Sequence, residues 1–229
     1  MKSLFPKGDL EMKSAYLKGR IGSAILLSVI FAVGCATTGP PLFGAKGESP
    51  GLMPAGSSYV VERRDSGSFG SGTYLLTFKA LGIQTWQGRK VSTSDSPEGT
   101  LLLDATSTKW VAFVKGTTPL VSWDPPLGYE FPLWVGKTWT QAYLITNHVS
   151  GKTTTAEIRW NVEAREEIKV PAGTFMAWRI SNTDPTTESI TWWSQELGVF
   201  VKSKSQRNAK HPMGPGLREA ELYSHNIKR

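Results

Sequence analysis

Few residues in this 229-residue chain are of types that could do chemistry in combination. Cys35 is the one cysteine, so no intrachain disulfide forms and the lone thiol needs another use. The three histidines, His148, His211 and His225, lie far apart, with no second histidine or cysteine at metal-ligand spacing. Each reads as a loop or surface residue, and no metal or other cofactor is expected. Glu163, Glu166 and Glu167 flank Arg165, and two such carboxylates could act as acid and base in hydrolysis. The plainer reading is a solvated strand end, so no catalytic residue is assigned. Gly136-Lys137-Thr138 has the tail of a phosphate-binding loop, but Phe131 stands where the first glycine belongs, and Gly151-Lys152-Thr153 fails likewise at Thr146. Gly67-Ser68-Phe69-Gly70-Ser71-Gly72 lacks the order of a nucleophile elbow and reads as a loop between strands. Trp192 and Trp193 face opposite ways in a regular strand. One of them is then open to solvent or a concavity, where an indole suits a sugar, a lipid or a partner. Core packing is the competing use, because large aromatics are mostly buried.

The segments that must place these residues begin with an export signal. Ile21 to Gly34 is an uncharged, largely apolar run behind Lys13, Lys18 and Arg20. A spanning helix needs about 20 apolar residues, so this run is too short to remain as a transmembrane helix and has the parts of a signal peptide. Residues 1–34 are read as that signal. The stretch before Met12 is long and holds Asp9 and Glu11, so Met12 is an alternative start.

Ala32-Val33-Gly34-Cys35 resembles the bacterial lipobox, in which small or aliphatic residues precede an obligatory cysteine. The resemblance implies that Cys35 receives a diacylglycerol thioether, becomes the first mature residue and is then acylated, with palmitate among the expected chains. Several chains, each contributing about 0.8 kcal/mol per buried methylene, anchor stably where one does not. Ala36 follows the cysteine in place of the aspartate that retains lipoproteins at an inner membrane. In a two-membraned cell the resemblance therefore implies the outer membrane, facing the periplasm.

Residues 35–58 are rich in Gly, Pro, Ser and Thr and read as a lipidated tether. Residues 59–229 read as a single β-rich domain. The net charge of +7 falls to +4 once the signal is set aside, and the excess is spread along the chain rather than gathered into a block, so no nucleic acid is expected as a partner. From Tyr59 onward apolar and polar residues alternate without helical periodicity. Ala156, Ile158, Trp160 and Val162 share one face of a half-buried strand, and Tyr74, Leu76, Phe78 and Ala80 make a second stripe. Trp110–Val114 and Ser189–Trp193 are apolar on both faces or nearly so, as in central strands. Asp95–Gly99, Asp124–Gly128 and Pro171–Gly173 read as strand breakers, the last as a hairpin turn. The count is about ten strands, an all-β antiparallel and strongly curved sheet.

Phe131–Trp139, Val170–Phe175 and Thr191–Ser194 with Gly198–Lys202 together are similar to uncharacterised bacterial envelope domains of the TapB-like kind, over roughly residues 120 to 205. That resemblance implies a half-barrel akin to the concave sheets of LolA-like lipoprotein carriers, and it brings no catalytic residues. Within the phrase, Gly136 is expected to allow a tight approach into the strand that follows. Three functions are carried forward. The first is a non-catalytic, lipid-anchored module that binds or scaffolds an envelope protein partner. The second is a carrier or receptor for a hydrophobic ligand, and the third an envelope-polymer hydrolase using Glu163, Glu166, Glu167 or His148.

Overall fold

The computed structural model describes residues 51–228, so the signal segment, Cys35 and the tether as far as residue 50 lie outside it. Twelve strands follow in the described residues. The first six are β1 (Ser58–Gly67), β2 (Gly72–Trp86), β3 (Arg89–Ser96), β4 (Gly99–Asp104), β5 (Trp110–Lys115) and β6 (Thr118–Leu127). The rest are β7 (Thr138–Asn147), β8 (Lys152–Val170), β9 (Gly173–Thr183), β10 (Thr187–Ser194), β11 (Val199–Arg207) and β12 (Gly216–Asn226). Each pairs antiparallel with its successor, and β1 also pairs with β12.

The all-β antiparallel reading therefore holds, with twelve strands where about ten were expected, and the correction is that the sheet closes into a barrel instead of stopping at a half-barrel. Closure rests on the pairing of Ser58–Gly67 with Gly216–Asn226, which no local pattern announces. The strand count rises partly because β3 reads Arg-Lys-Val-Ser-Thr-Ser-Asp-Ser, with a single apolar residue, yet Val91, Ser92, Thr93 and Ser94 are all buried. Here tertiary burial overrides a polar pattern.

The alternating stripes fold as their periods direct. Ile158, Trp160 and Val162 are buried along β8, and Leu76 and Ala80 along β2, while Tyr74 at the end of its stripe is exposed. Pro171-Ala172 turns the β8–β9 hairpin, with Val170 opposite Gly173 and Ile168 opposite Phe175. Gly173 carries a positive φ of 137°, which only glycine adopts readily. Gly136 has open space where a Cβ would stand. Its φ of 88°, not a tight approach, is what calls for glycine there, which corrects the sequence reading.

As expected, the run Asp124–Gly128 ends β6, though only at its last residues. β6 runs through it to Leu127, but its pairing with β7 stops at Asp124, opposite Leu144. Proline has no N–H to donate, so the ladder cannot continue. The buried side chain of Gln141 replaces it: Nε2 donates to the Pro126 carbonyl at 2.7 Å and Oε1 accepts from the Gly128 N–H at 3.4 Å. One side chain thus bridges β7 to β6 where main chain fails.

At the end of the barrel where β1 meets β2, the closing seam carries charge inside. Arg218 of β12 donates to both oxygens of Asp65 of β1, from Nε at 2.8 Å and Nη2 at 2.9 Å, and the Asp65 side chain is 2% exposed. Arg63 lies 3.2 Å from the same carboxylate and forks onto Glu98 in the β3–β4 turn. Arg207 and Arg218 both stand over the Phe69 ring, 3.7 and 4.5 Å from its centroid.

Candidate functional site

Antiparallel alternation brings together, at the other end of the barrel, the starts of the odd-numbered strands and the finishes of the even-numbered ones. A cavity of about 210 Å³ lies there. Its wall is mainly apolar, with Tyr59 and Phe78 from β1 and β2, Trp110 at the start of β5, Tyr129 after β6, and Trp193 and Phe200 from β10 and β11. Tyr59 and Phe78 stack with ring centroids 4.9 Å apart, and Tyr129 packs edge-on to Trp160 and Trp193. Such rings hold a shape well, since each loses few rotamers on ordering.

The last residues of the stretch read as tether close this end. Gly51, Leu52 and Met53 line the cavity, and Met53 packs on the core cluster of Tyr59, Val199 and Leu222. The strap is fixed by main chain: Gly56 N–H donates to Ala80 at 2.8 Å, and Ala80 N–H donates back to Ser57 at 2.9 Å. Gly51 crosses so close to Gly198 that a Cβ on Gly198 would collide with the Gly51 carbonyl, and Gly198 has a φ of 69°. These two glycines let the strap cross the mouth.

The polar side-chain groups of the wall residues are hydroxyls and the indole N–H groups of Trp110 and Trp193. Ser92 and Ser94 face the cavity from β3 opposite Leu103 and Leu101 of β4. Thr93, which also reaches the cavity, donates its hydroxyl to the Gly82 carbonyl at 3.1 Å. Ser94 Oγ is buried without a hydrogen bond of ordinary geometry, although it stands near enough to Tyr59 to offset part of the rise that burial imposes on that phenol. Burial lifts Tyr59 well above the ordinary tyrosine range and pushes Tyr129 up to about 12. Both phenols stay neutral at any physiological pH and act only as hydrogen-bonding groups.

The two tryptophans singled out by sequence lie on opposite faces. Trp193 points inward, 6% exposed, in the core with Trp160 and Trp178, and contributes to the cavity wall. Trp192 pairs with Lys202 and Arg179 on the outer face, and its indole N–H donates to Glu166 at 2.7 Å. Lys202 stands over its ring. A ladder of opposite charges continues outward from it, Lys202 to Glu221 at 2.7 Å and Lys204 to Glu219 at 3.7 Å. Cross-strand pairs of this kind support a sheet surface.

Two of the three acidic candidates are drawn to one cation. Arg179 holds Glu163 at 2.8 Å and Glu166 at 3.7 Å, while Glu167 is exposed. His148 is hydrogen-bonded to Ser122 at 2.9 Å and His225 meets the edge of Phe175. Among the described residues no three His, Cys, Asp or Glu side chains gather as a metal site would require. Sequence reasoning missed most of the cavity wall, whose residues are scattered from position 51 to 200. The one local signal was Leu52-Met53, an apolar pair inside a Gly/Pro-rich stretch.

No family model matches this chain, and no curated protein does. Solved structures similar to it include a protein of Parabacteroides distasonis described as a lipoprotein, at 12% identity and a TM-score of 0.41, covering 78% of this chain and 98% of that one. A protein of Bacteroides fragilis described as exported, with a YmcC-like fold, is 11% identical with a TM-score of 0.40, covering 76% and 97%. The lipoprotein YmcC of Escherichia coli, described as hypothetical, is 14% identical with a TM-score of 0.41, covering 73% and 83%.

Proposed function

We propose that this chain is exported, is held to a membrane by lipid on Cys35, and serves as a non-catalytic binding module whose barrel takes a small hydrophobic ligand. The observation that carries the ligand reading is the 210 Å³ cavity walled by aromatic rings and crossed by the strap Gly51–Met53. Pockets for small molecules are concave and mostly apolar, with few polar groups to orient the guest. At about 30 Å³ per water-sized unit the space holds about seven such units, enough for a short chain or one ring. Membrane attachment is supported by the signal segment and by the residues preceding Cys35, and Ala36 favours the outer membrane of a two-membraned cell.

Native mass spectrometry of the protein released gently from its membrane tests the ligand. A bound small molecule is expected, and Ala80→Trp, which projects into the cavity, removes it. Protein that carries no guest, and that binds none of a panel of small apolar probes, refutes the reading. Cys35→Ser tests the anchor: the variant should stay unprocessed and carry no acyl mass, and an unmodified Cys35 in the intact mass of the parent protein refutes it.

A second reading, docking of an envelope protein partner, is favoured by Leu81 and Ile83 on β2, 60% and 62% exposed. Exposed apolar side chains close together mark contact surfaces. Crosslinking in cells should capture a partner that Leu81→Asp with Ile83→Asp loses. A crosslinked product that persists in that double variant removes β2 as the docking strand.

A further inference from the structure

We infer that the cavity end of the barrel rests on the bilayer that holds the anchor, with the β2–β3 hairpin set into an anionic headgroup layer. The inference rests on the reading of Cys35 as lipid-bearing, and it gives Leu81 and Ile83 a lipid surface as partner where the second reading gives them a protein.

Three observations carry it. The first is where the chain that leads from the anchor joins the barrel. Gly51 enters at the cavity mouth, against Gln195 and Gly198, and only the fifteen residues 36–50 separate it from Cys35. A coil of that length spans about 20 Å, whereas the ten residues of β1 run about 33 Å from the mouth toward the far end. The mouth is therefore held nearer to the anchor than the far end is. The second is the hairpin itself. β1 pairs with β2 only as far as Lys79, so from Leu81 to Trp86 that strand has β3 as its one strand neighbour among the described residues. Leu81 is exposed there, and so is every residue from Ile83 to Lys90 other than Trp86. The third is charge. Lys79 precedes the two apolar side chains and Arg89 and Lys90 follow the turn, all three exposed, and Asp104 at 3.4 Å from Arg89 offsets one of them. An anionic bilayer surface takes up apolar side chains flanked by bases, whose long stems reach back to the phosphates. Exposure alone does not choose the end, since Leu75, Val149 and Met213 are exposed at the other. The point where the chain joins does.

The test uses the mature lipidated protein in vesicles of phosphatidylethanolamine and phosphatidylglycerol. Acylated Cys35 has no free thiol, so Ile83→Cys or Val149→Cys supplies a single site for an environment-sensitive fluorescent maleimide, and both positions are exposed enough to leave the fold intact. The label at 83 should shift to the blue and be quenched by spin-labelled lipid, while the label at 149 keeps its emission in water. Arg89→Gln with Lys90→Gln, or vesicles of phosphatidylcholine alone, should reduce the shift at 83. A protein that floats with the vesicles and takes one label, yet emits from 83 as in water or equally from both positions, overturns the inference and leaves the anchor standing. If 83 stays in water but crosslinks to a protein in cells, the second reading of β2 replaces it. A chain that takes two labels has an unmodified Cys35, and the anchor and the inference fall together.

Discussion

Closure of the barrel can be tested at its charged seam through Asp65→Ala. Asp65 on β1 is the buried partner of Arg218 on β12, bound through two hydrogen bonds of 2.8 and 2.9 Å, and it also neutralises Arg63. Removing one member of a buried pair commonly costs 3–5 kcal/mol, because the other charge is left without compensation. Two features lower that figure. The Arg218 side chain is one-third exposed and can turn to water, and Arg63 keeps its forked bond to Glu98. A cost of about 2–3 kcal/mol follows, and for a domain of this size a change of 1 kcal/mol moves Tm by roughly 2–4 °C. Thermal unfolding should therefore fall by about 4–12 °C. Arg218→Met alone should cost less, since Asp65 retains Arg63. A double-mutant cycle should return a coupling of about 1–2 kcal/mol between the two sites. If Asp65→Ala shifts Tm by less than about 2 °C, or if the coupling is zero, β1 and β12 are not joined in solution as described and the barrel is open there.

Other sites give independent checks. Gln141→Leu keeps volume but leaves the Pro126 carbonyl and Gly128 N–H unpaired, and should cost about 1–3 kcal/mol in urea unfolding with faster hydrogen exchange at Gly128; unchanged exchange would show that the side chain is not the bridge. Trp193→Ala should cost about 3–5 kcal/mol, as expected for a large core aromatic, whereas Trp192→Ala on the outer face should cost roughly 1 kcal/mol; equal costs would contradict their placement on opposite faces. The hydrogen bonds from Arg63 hold the Glu98 carboxyl below its ordinary value of 4.5. A depressed folded-state pKa contributes stability above the unfolded value that is lost as pH falls through the folded one, so unfolding scans should show a decline below about pH 4.5 that Glu98→Gln reduces. Because Glu98 is nearly half exposed, the effect should be small, under about 1 kcal/mol.

Sequence alone determined the strands whose two faces differ. The alternation Ala156, Ile158, Trp160, Val162 allows only a strand with one buried side, and Pro171 with Gly173 allows only a tight reversal after Val170. Trp192 and Trp193 also lie on opposite faces, but the β10–β11 register shifts between them, so alternation by itself did not guarantee that outcome. What tertiary structure decided is everything that depends on residues distant in the chain. A polar strand such as β3 is buried because neighbours cover it, and nothing in Ser-Thr-Ser predicts that cover. A carboxylate such as Asp65 finds its arginine 153 positions away, and a cavity takes its wall from positions 51 to 200. Periodicity records which way a side chain points from its own strand. It holds no record of which strand stands opposite, because that is settled by pairing strands far apart in sequence, β1 with β12 above all, and the pairing is what makes an inside.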